Sequence, residues 1–175
     1  EPAAKVAAQL ASLPLTQFYR APMLDVLTSV LYRSGLPESD GCEPRPDLWR
    51  LAVREMGITR GEAEWQRLSS AGSLQVWASA GAAEEPAEGT GQFRIDAAQL
   101  RLLAKLVARL IDDCRALPEQ GSAVELTDAF AALAERHLAI PGLTSDMPGD
   151  DGATEQAAAC GAAIGEVLAQ LRQLD

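Results

Sequence analysis

The sequence predicts an all-α fold, an irregular helical bundle of about six to seven helices. Three observations carry this reading. Ala and Leu dominate while aromatic residues are only 5% of the chain, which favours helix over strand by intrinsic propensity. Apolar residues recur at alternating spacings of three and four, placing them on one face of a helix. Pro, Gly and capping residues punctuate the ends of those segments. No stretch alternates convincingly, and no internal repeat is present.

The first helix is expected from Pro2 to about Leu13, with Val6, Leu10 and Leu13 on one face and Pro14 as its stop. Pro22 opens a second, roughly Met23 to Arg33, carrying Leu24, Leu27, Val30 and Leu31, and Gly35 and Pro37 end it. Glu38 to Pro46 reads as loop. Asp47 to Met56 is a third helix, burying Leu48, Trp49, Ala52 and Met56, with Gly57 as its C-cap. Thr59, Arg60, Gly61 and Glu62 spell a capping box that opens a fourth, carrying Trp65 and Leu68 and interrupted by Gly72. Leu74, Val76 and Trp77 continue as helix or as a short extended piece.

Gly81 to Gln92 has no apolar residue larger than Ala and reads as a flexible acidic linker. It separates an N-terminal helical part, 1–80, from a C-terminal helical hairpin or bundle, 93–175, that packs on the first part as one domain overall.

The longest and most apolar amphipathic segment is Asp96 to Leu117, the expected central post. Leu100, Leu103, Val107, Leu110, Cys114 and Leu117 share one face, and Leu106 and Ile111 widen it enough to meet several neighbours. Asp96 with Gln99 resembles a capping box; Pro118 and Gly121 end the run. Ser122 and Glu125 cap the next helix, which carries Leu126, Phe130, Leu133 and Leu138 and is closed by Pro141 and Gly142. After an acidic loop, Leu143 to Gly152, a last helix spans about Thr154 to Leu174 and buries Cys160 or Gly161, Ile164, Val167, Leu168, Leu171 and Leu174. Gly161 and Gly165 there permit close helix packing at some intrinsic loss of stability.

At 175 residues the chain can bury a real core. A formal charge of −10 argues against a dedicated nucleic-acid module, since phosphate binding needs a basic footprint. Much of that acidity falls in the two loops, where it keeps the segments solvated. The 3 cysteines are far apart with no CxxC pair, and read as reduced thiols of a cytoplasmic protein. There is no membrane-length apolar run and no signal peptide. A start at Glu1 rather than Met suits a processed protein, and better an excised domain of a longer chain.

No catalytic signature stands out. The lysines, Lys5 and Lys105, follow no phosphate-binding loop, and the single histidine rules out a zincin pair. His137 is expected as a packed or C-terminal helix histidine. Ser69, Ser70 and Cys114 have no nearby base in sequence. Asp112–Asp113 and Asp150–Asp151 read as solvated surface rather than metal ligands. Two features rank higher. Arg101, Lys105 and Arg109 form a basic stripe opposite the apolar face of the central helix, either an ordinary solvated back or a contact with a nucleic-acid backbone. Trp49 and Trp65 lie among Arg45, Arg50, Arg54, Arg60 and Arg67, an interleaving that can stack bases and hold phosphates, although core anchoring is the commoner role of such tryptophans.

The stretch LWRLAVREMGITRGEAEWQRL, Leu48 to Leu68, resembles a segment of bacterial helicase–nuclease proteins of the AddB/RecB type. These are UvrD-like superfamily 1 DNA helicases with a C-terminal PD-(D/E)XK nuclease. The likeness rests on Trp49, Arg54, Glu55, Gly57, Ile58, Gly61 and Trp65, with Met56 in place of the family's small residue. Phe18 to Leu36 is similar to the family's phrase for a helix ending in a Leu-x-Ser motif, through Leu27, Thr28, Ser29 and Leu31. From Phe93 to about Leu138 the match is only that of a helical stretch. The resemblance covers roughly a third of the chain well and another third loosely.

The resemblance implies a helical insertion in the second motor domain of a protein that unwinds and resects double-stranded DNA ends in recombinational repair. The family's catalytic residues lie outside this region, so no catalytic, cofactor or metal residue is carried over. ATP and Mg are expected for the parent chain, with its remaining domains as partners and DNA as a weak one. Candidate DNA or interdomain contacts are then Arg101, Lys105, Arg109, Arg50, Arg54 and Arg60; Trp49, Gly57, Ile58, Gly61 and Trp65 are structural. The rival readings are a free-standing helical adaptor, binding a protein through the face around Trp65 and Trp77, and a small helical enzyme of unknown type.

Overall fold

The computed structural model describes residues 2–33, 42–77 and 92–139, with backbone alone at Pro2, Trp77, Gln92 and Phe93. Among them are α1 (Pro2–Ser12), α2 (Arg20–Leu27), α3 (Pro46–Glu55), α4 (Glu62–Ser70), β1 (Leu74–Trp77), β2 (Gln92–Ile95), α5 (Ala97–Arg115) and α6 (Ala123–His137). The fold is all-α, as the periodicity predicts, with one small ribbon added. The loop expected at 38–41, most of the linker, the acidic loop at 143–152 and the last helix at 154–174 lie outside the described residues.

Helix α5 is the post. Leu100, Leu103, Leu106, Val107, Leu110, Ile111 and Cys114 are buried along it, and so is Leu102, which the predicted face omits. It packs most extensively against α4, and also against α3 and α6. The Arg115–Glu62 ion pair ties the last turn of α5 to the first turn of α4. A single apolar cluster runs from Val6 in α1 to Leu138 after α6, so residues on both sides of the expected linker share one core.

Several boundaries differ from the periodic pattern, each for a local reason. Helix α2 begins at Arg20 and stops at Leu27, where the Thr28 hydroxyl donates to the Leu24 carbonyl at 2.7 Å. Hydroxyl side chains that bond nearby backbone compete with the helical ladder. Val30 is therefore not part of a buried stripe but is 96% exposed. Residues 31–33 instead lie beside the end of α6: Ala139 N–H donates to the Leu31 carbonyl at 2.6 Å and Arg33 N–H to that of His137 at 2.8 Å. In α6 the expected Leu126 is exposed, while Thr127, Leu133, Ala134 and His137 are buried. The Ser122–Glu125 capping box forms as predicted.

The undecided segment 74–77 is a strand. Leu74 faces Ile95 and Val76 faces Phe93 in an antiparallel pair. Val76 and Ile95 are buried while Gln75 and Arg94 are exposed, the alternation a half-buried ribbon requires. Gln92, read as linker, is the first residue of β2.

Helix α3 ends in a Schellman motif. Gly57 N–H donates to the Arg54 carbonyl and Ile58 N–H to that of Val53, both at 3.0 Å, with Gly57 at φ +64°. Ile58, Val53 and Ala52 are fully buried members of one core cluster, at the positions whose apolar contact accompanies this cap. Gly61, the N-cap of α4, has φ 83° and ψ 142°, backbone reserved almost entirely for glycine. Among the described residues nothing beyond the immediate chain neighbours lies within 4 Å of a Cβ added at either glycine, so substitution there acts through backbone strain. Gly61→Ala is expected to destabilise by ~1–3 kcal/mol, and Gly57→Ala by ~1 kcal/mol. Urea midpoints matching wild type for both would contradict this.

Candidate nucleic-acid or interdomain contact surface

The Gly57–Trp65 region is a joint rather than a ligand site. Arg20 N–H donates to the Thr59 carbonyl and Gly61 N–H to the Gln17 carbonyl, each at 2.8 Å. Trp65 Nε1–H donates to the Phe18 carbonyl at 2.8 Å. These bonds stitch the turn after α1 onto the turn before α4. Gln17 and Phe18 hold positive φ of 54° and 56° within that turn. The predicted capping box at Thr59–Glu62 does not form. Thr59 and Arg60 instead donate their N–H groups to the Glu64 carboxylate, and Thr59 adds its hydroxyl. Those donors hold Glu64 below the ordinary carboxylate range. Thr59 lies outside the helix; Glu64, within its first turn, reaches back instead.

Both candidate tryptophans are interior residues, each 2% exposed. Neither offers an open ring for base stacking. Trp49 Nε1–H donates to Gln99 Oε1 at 3.2 Å. The expected Asp96–Gln99 box is replaced by a different arrangement: Asp96 makes no side-chain cap bond, and Gln99 turns inward. Its carbonyl oxygen also accepts from Arg45 N–H at 3.1 Å, and its amide donates to the Glu43 carbonyl. Gln99 thereby secures the chain leading into α3 against α5. Its place on the Leu103/Leu106 side of the helix was the only signal for that role.

The basic candidates divide. Arg50 is bound to Asp25 at 2.7 Å and to the Thr28 hydroxyl at 3.1 Å, bracing α3 on α2. Arg54 and Arg60 are exposed at the joint. Arg101 and Lys105 are exposed on α5, whereas Arg109 is half-buried with Nε 3.9 Å from Asp113. The three-residue stripe is thus two outward cations and a third drawn into a structural cluster. Arg101 and Lys105 line a hollow of about 260 Å³ with Cys42, Ala98 and Leu102.

Asp113, read from sequence as solvated surface, is the centre of that cluster; Asp112 is exposed. Asp113 accepts from His137 Nε2 at 2.8 Å and pairs with Arg136. A carboxylate only accepts, so Nε2 carries the proton and Nδ1 the lone pair. His137 is 0% exposed, stacks on Tyr32 with centroids 5.9 Å apart, and its Nδ1 has no hydrogen-bond partner among the described residues. Burial depresses the His137 pKa, and the Asp113 carboxylate only partly opposes it. Burial would raise Asp113, but the bonds from His137 and Arg136 outweigh it and hold the carboxyl below its ordinary value. Burial likewise pushes the Cys114 thiol up to about 12, away from nucleophilic use. The packed-histidine expectation therefore holds.

Among the described residues no group of three or more His, Cys, Asp or Glu side chains is placed to hold a metal ion. No helix among them is long and apolar enough to cross a membrane. Between α4 and α5 runs a groove of about 150 Å³, lined by Trp65, Ser69, Ala104, Val107, Ala108 and Ile111 among others. No family model, curated protein or solved structure matches this chain.

Proposed function

We propose that this chain is a non-catalytic helical domain of an AddB/RecB-like DNA helicase–nuclease, working through contacts made by the outer face of α5. The observation that carries the reading is the pair of exposed cations, Arg101 and Lys105, which line a hollow together with Cys42, Ala98 and Leu102. The segment resemblance supplies the parent's activity: ATP- and Mg-dependent processing of double-stranded DNA ends in recombinational repair, in the cytoplasm. In that setting the remaining motor and nuclease domains are its partners, and DNA is held weakly. With a chain charge of −10, contact with a polyanion has to be local. Arg54 and Arg60 at the joint form a second, interdomain contact. The glycines and tryptophans of the joint keep the two helices beneath it in place.

Fluorescence anisotropy with single-stranded and forked DNA tests this. Weak binding is expected at about 50 mM salt, falling roughly sevenfold by about 200 mM if two phosphates are neutralised on a single strand. Arg101→Ala/Lys105→Ala should abolish it without loss of fold, because both side chains are exposed. Binding unchanged in that variant, or absent at low salt, would remove α5 from the DNA path.

The groove between α4 and α5 favours a second reading, a free-standing helical adaptor that binds a protein partner. Trp65 contributes to that groove only as part of its lining, since its ring is buried. Contact through the groove would be insensitive to Arg101→Ala/Lys105→Ala and weakened by Ala108→Glu.

A further inference from the structure

The segment that follows α2 is tied back to the end of α6 through one small contact. Ala139 N–H donates to the Leu31 carbonyl at 2.6 Å and Arg33 N–H to the His137 carbonyl at 2.8 Å, bracketing an antiparallel bridge between Tyr32 and Leu138. The Tyr32 and His137 rings lie nearly parallel across it, their planes 14° apart. Two backbone hydrogen bonds contribute only modest net stability in water. Against them stand two buried polar atoms, Tyr32 Oη and His137 Nδ1, without a hydrogen-bond partner among the described residues. Opening the contact lets both reach water, which brings the closed and open forms closer in free energy.

A proton weighs on the closed form. His137 is fully buried there, and protonation would add an N–H at Nδ1 that meets no acceptor. The groups facing the ring compensate the new charge poorly. From α5, Asp113 accepts from Nε2 at 2.8 Å, but the same carboxylate pairs with Arg136 of α6 and lies 3.9 Å from Arg109. Burial lowers the His137 pKa, Asp113 opposes this, and Arg109 and Arg136 lower it further. Tyr32, the group facing it from the segment after α2, stays neutral because burial raises its pKa. In the open form the imidazole is hydrated and binds a proton near its ordinary pKa of about 6.5.

We propose that residues 31–33 and 137–139 form a latch that opens when His137 takes up a proton, releasing the segment after α2 while the α4–α5 core stays folded. Hydrogen exchange on the whole chain, resolved to single amides and corrected for the intrinsic rate at each pH, tests this. The amides of Arg33 and Ala139 report the latch, and those of Leu103 to Leu110 report the core. At about pH 7.5 the latch amides should already be less protected than the core amides. By about pH 5 their protection should fall by up to about thirtyfold, the ceiling set by a free pKa of about 6.5. Low urea should speed the core amides and leave the latch amides unchanged, because a local opening exposes little surface.

His137→Phe keeps a ring on Tyr32 and should abolish the pH response at both latch amides. Tyr32→Phe is the milder variant: it removes one orphaned hydroxyl, so latch protection should rise several-fold at both pH values while the pH response remains. Latch amides as protected as the core and equally sensitive to urea would overturn the proposal, since the contact would then open only with the whole fold. A pH response that survives His137→Phe would overturn His137 as the sensor. Should that variant not fold, Tyr32→Phe decides alone, and unchanged latch protection in it would overturn the latch.

Discussion

Trp65→Ala is expected to destabilise the protein by ~3–5 kcal/mol, the usual range for deleting a buried tryptophan. The indole is 2% exposed and anchors α4 against α5 and the turn after α1. Its removal leaves a cavity and strips the Phe18 carbonyl of its donor, in a turn already holding two non-glycine residues at positive φ. A domain of this size has total stability of ~5–15 kcal/mol, so the variant should lose much of its urea resistance. Trp65→Phe separates the two effects, keeping most of the ring and losing the bond, for about 1–2 kcal/mol. Wild-type midpoints in both variants would show that the joint is not held by this residue.

The second large effect is expected at Asp113. Asp113→Ala should destabilise by ~1–3 kcal/mol, because it leaves a fully buried imidazole with neither nitrogen partnered. The same cluster makes stability depend on pH in a definite direction. His137 has a folded pKa below its unfolded value of about 6.5. The unfolded chain therefore binds the proton first, and stability present above about pH 6.5 is lost as pH falls toward the folded value. Asp113 is also depressed, so its contribution is present above its ordinary value near 3.8 and is lost only as pH drops below that. The window between about pH 7.5 and 5 thus reports His137 rather than Asp113. Urea midpoints should fall across it in the wild type. His137→Phe, which retains a ring to stack on Tyr32, should flatten that fall. An unchanged slope in this variant would assign the acid sensitivity elsewhere.

The apolar face of α5, the caps at Gly57 and Ser122, and the burial of Trp49 and His137 could be read from residue spacing. Each depends on neighbours within a turn or two, where helix geometry leaves few alternatives. Helix α2 was overextended because Val30 and Leu31 continue an apolar rhythm that the Thr28 and Ser29 hydroxyls interrupt. The ribbon is only half legible: 74–77 reads as helix or extended, and 92–95 carries no strand reading, although Leu74–Gln75–Val76 and Phe93–Arg94–Ile95 both alternate. Runs of four residues are too short to distinguish strand from helix, and each strand exists only by pairing with one far along the chain.

The candidate surface divides in the same way. That Arg101 and Lys105 leave the helix opposite its core face follows from a 3.6-residue repeat. That Cys42 closes a hollow beside them, that Arg50 is engaged by Asp25, and that Asp113 draws in Arg109, Arg136 and His137 are decided by which helices meet. By itself the sequence determined an all-helical chain with a wide apolar post, because helix periodicity and capping act locally. Only the tertiary structure decided which charges are engaged internally and which face outward, because an ion pair between distant residues has no spacing to betray it.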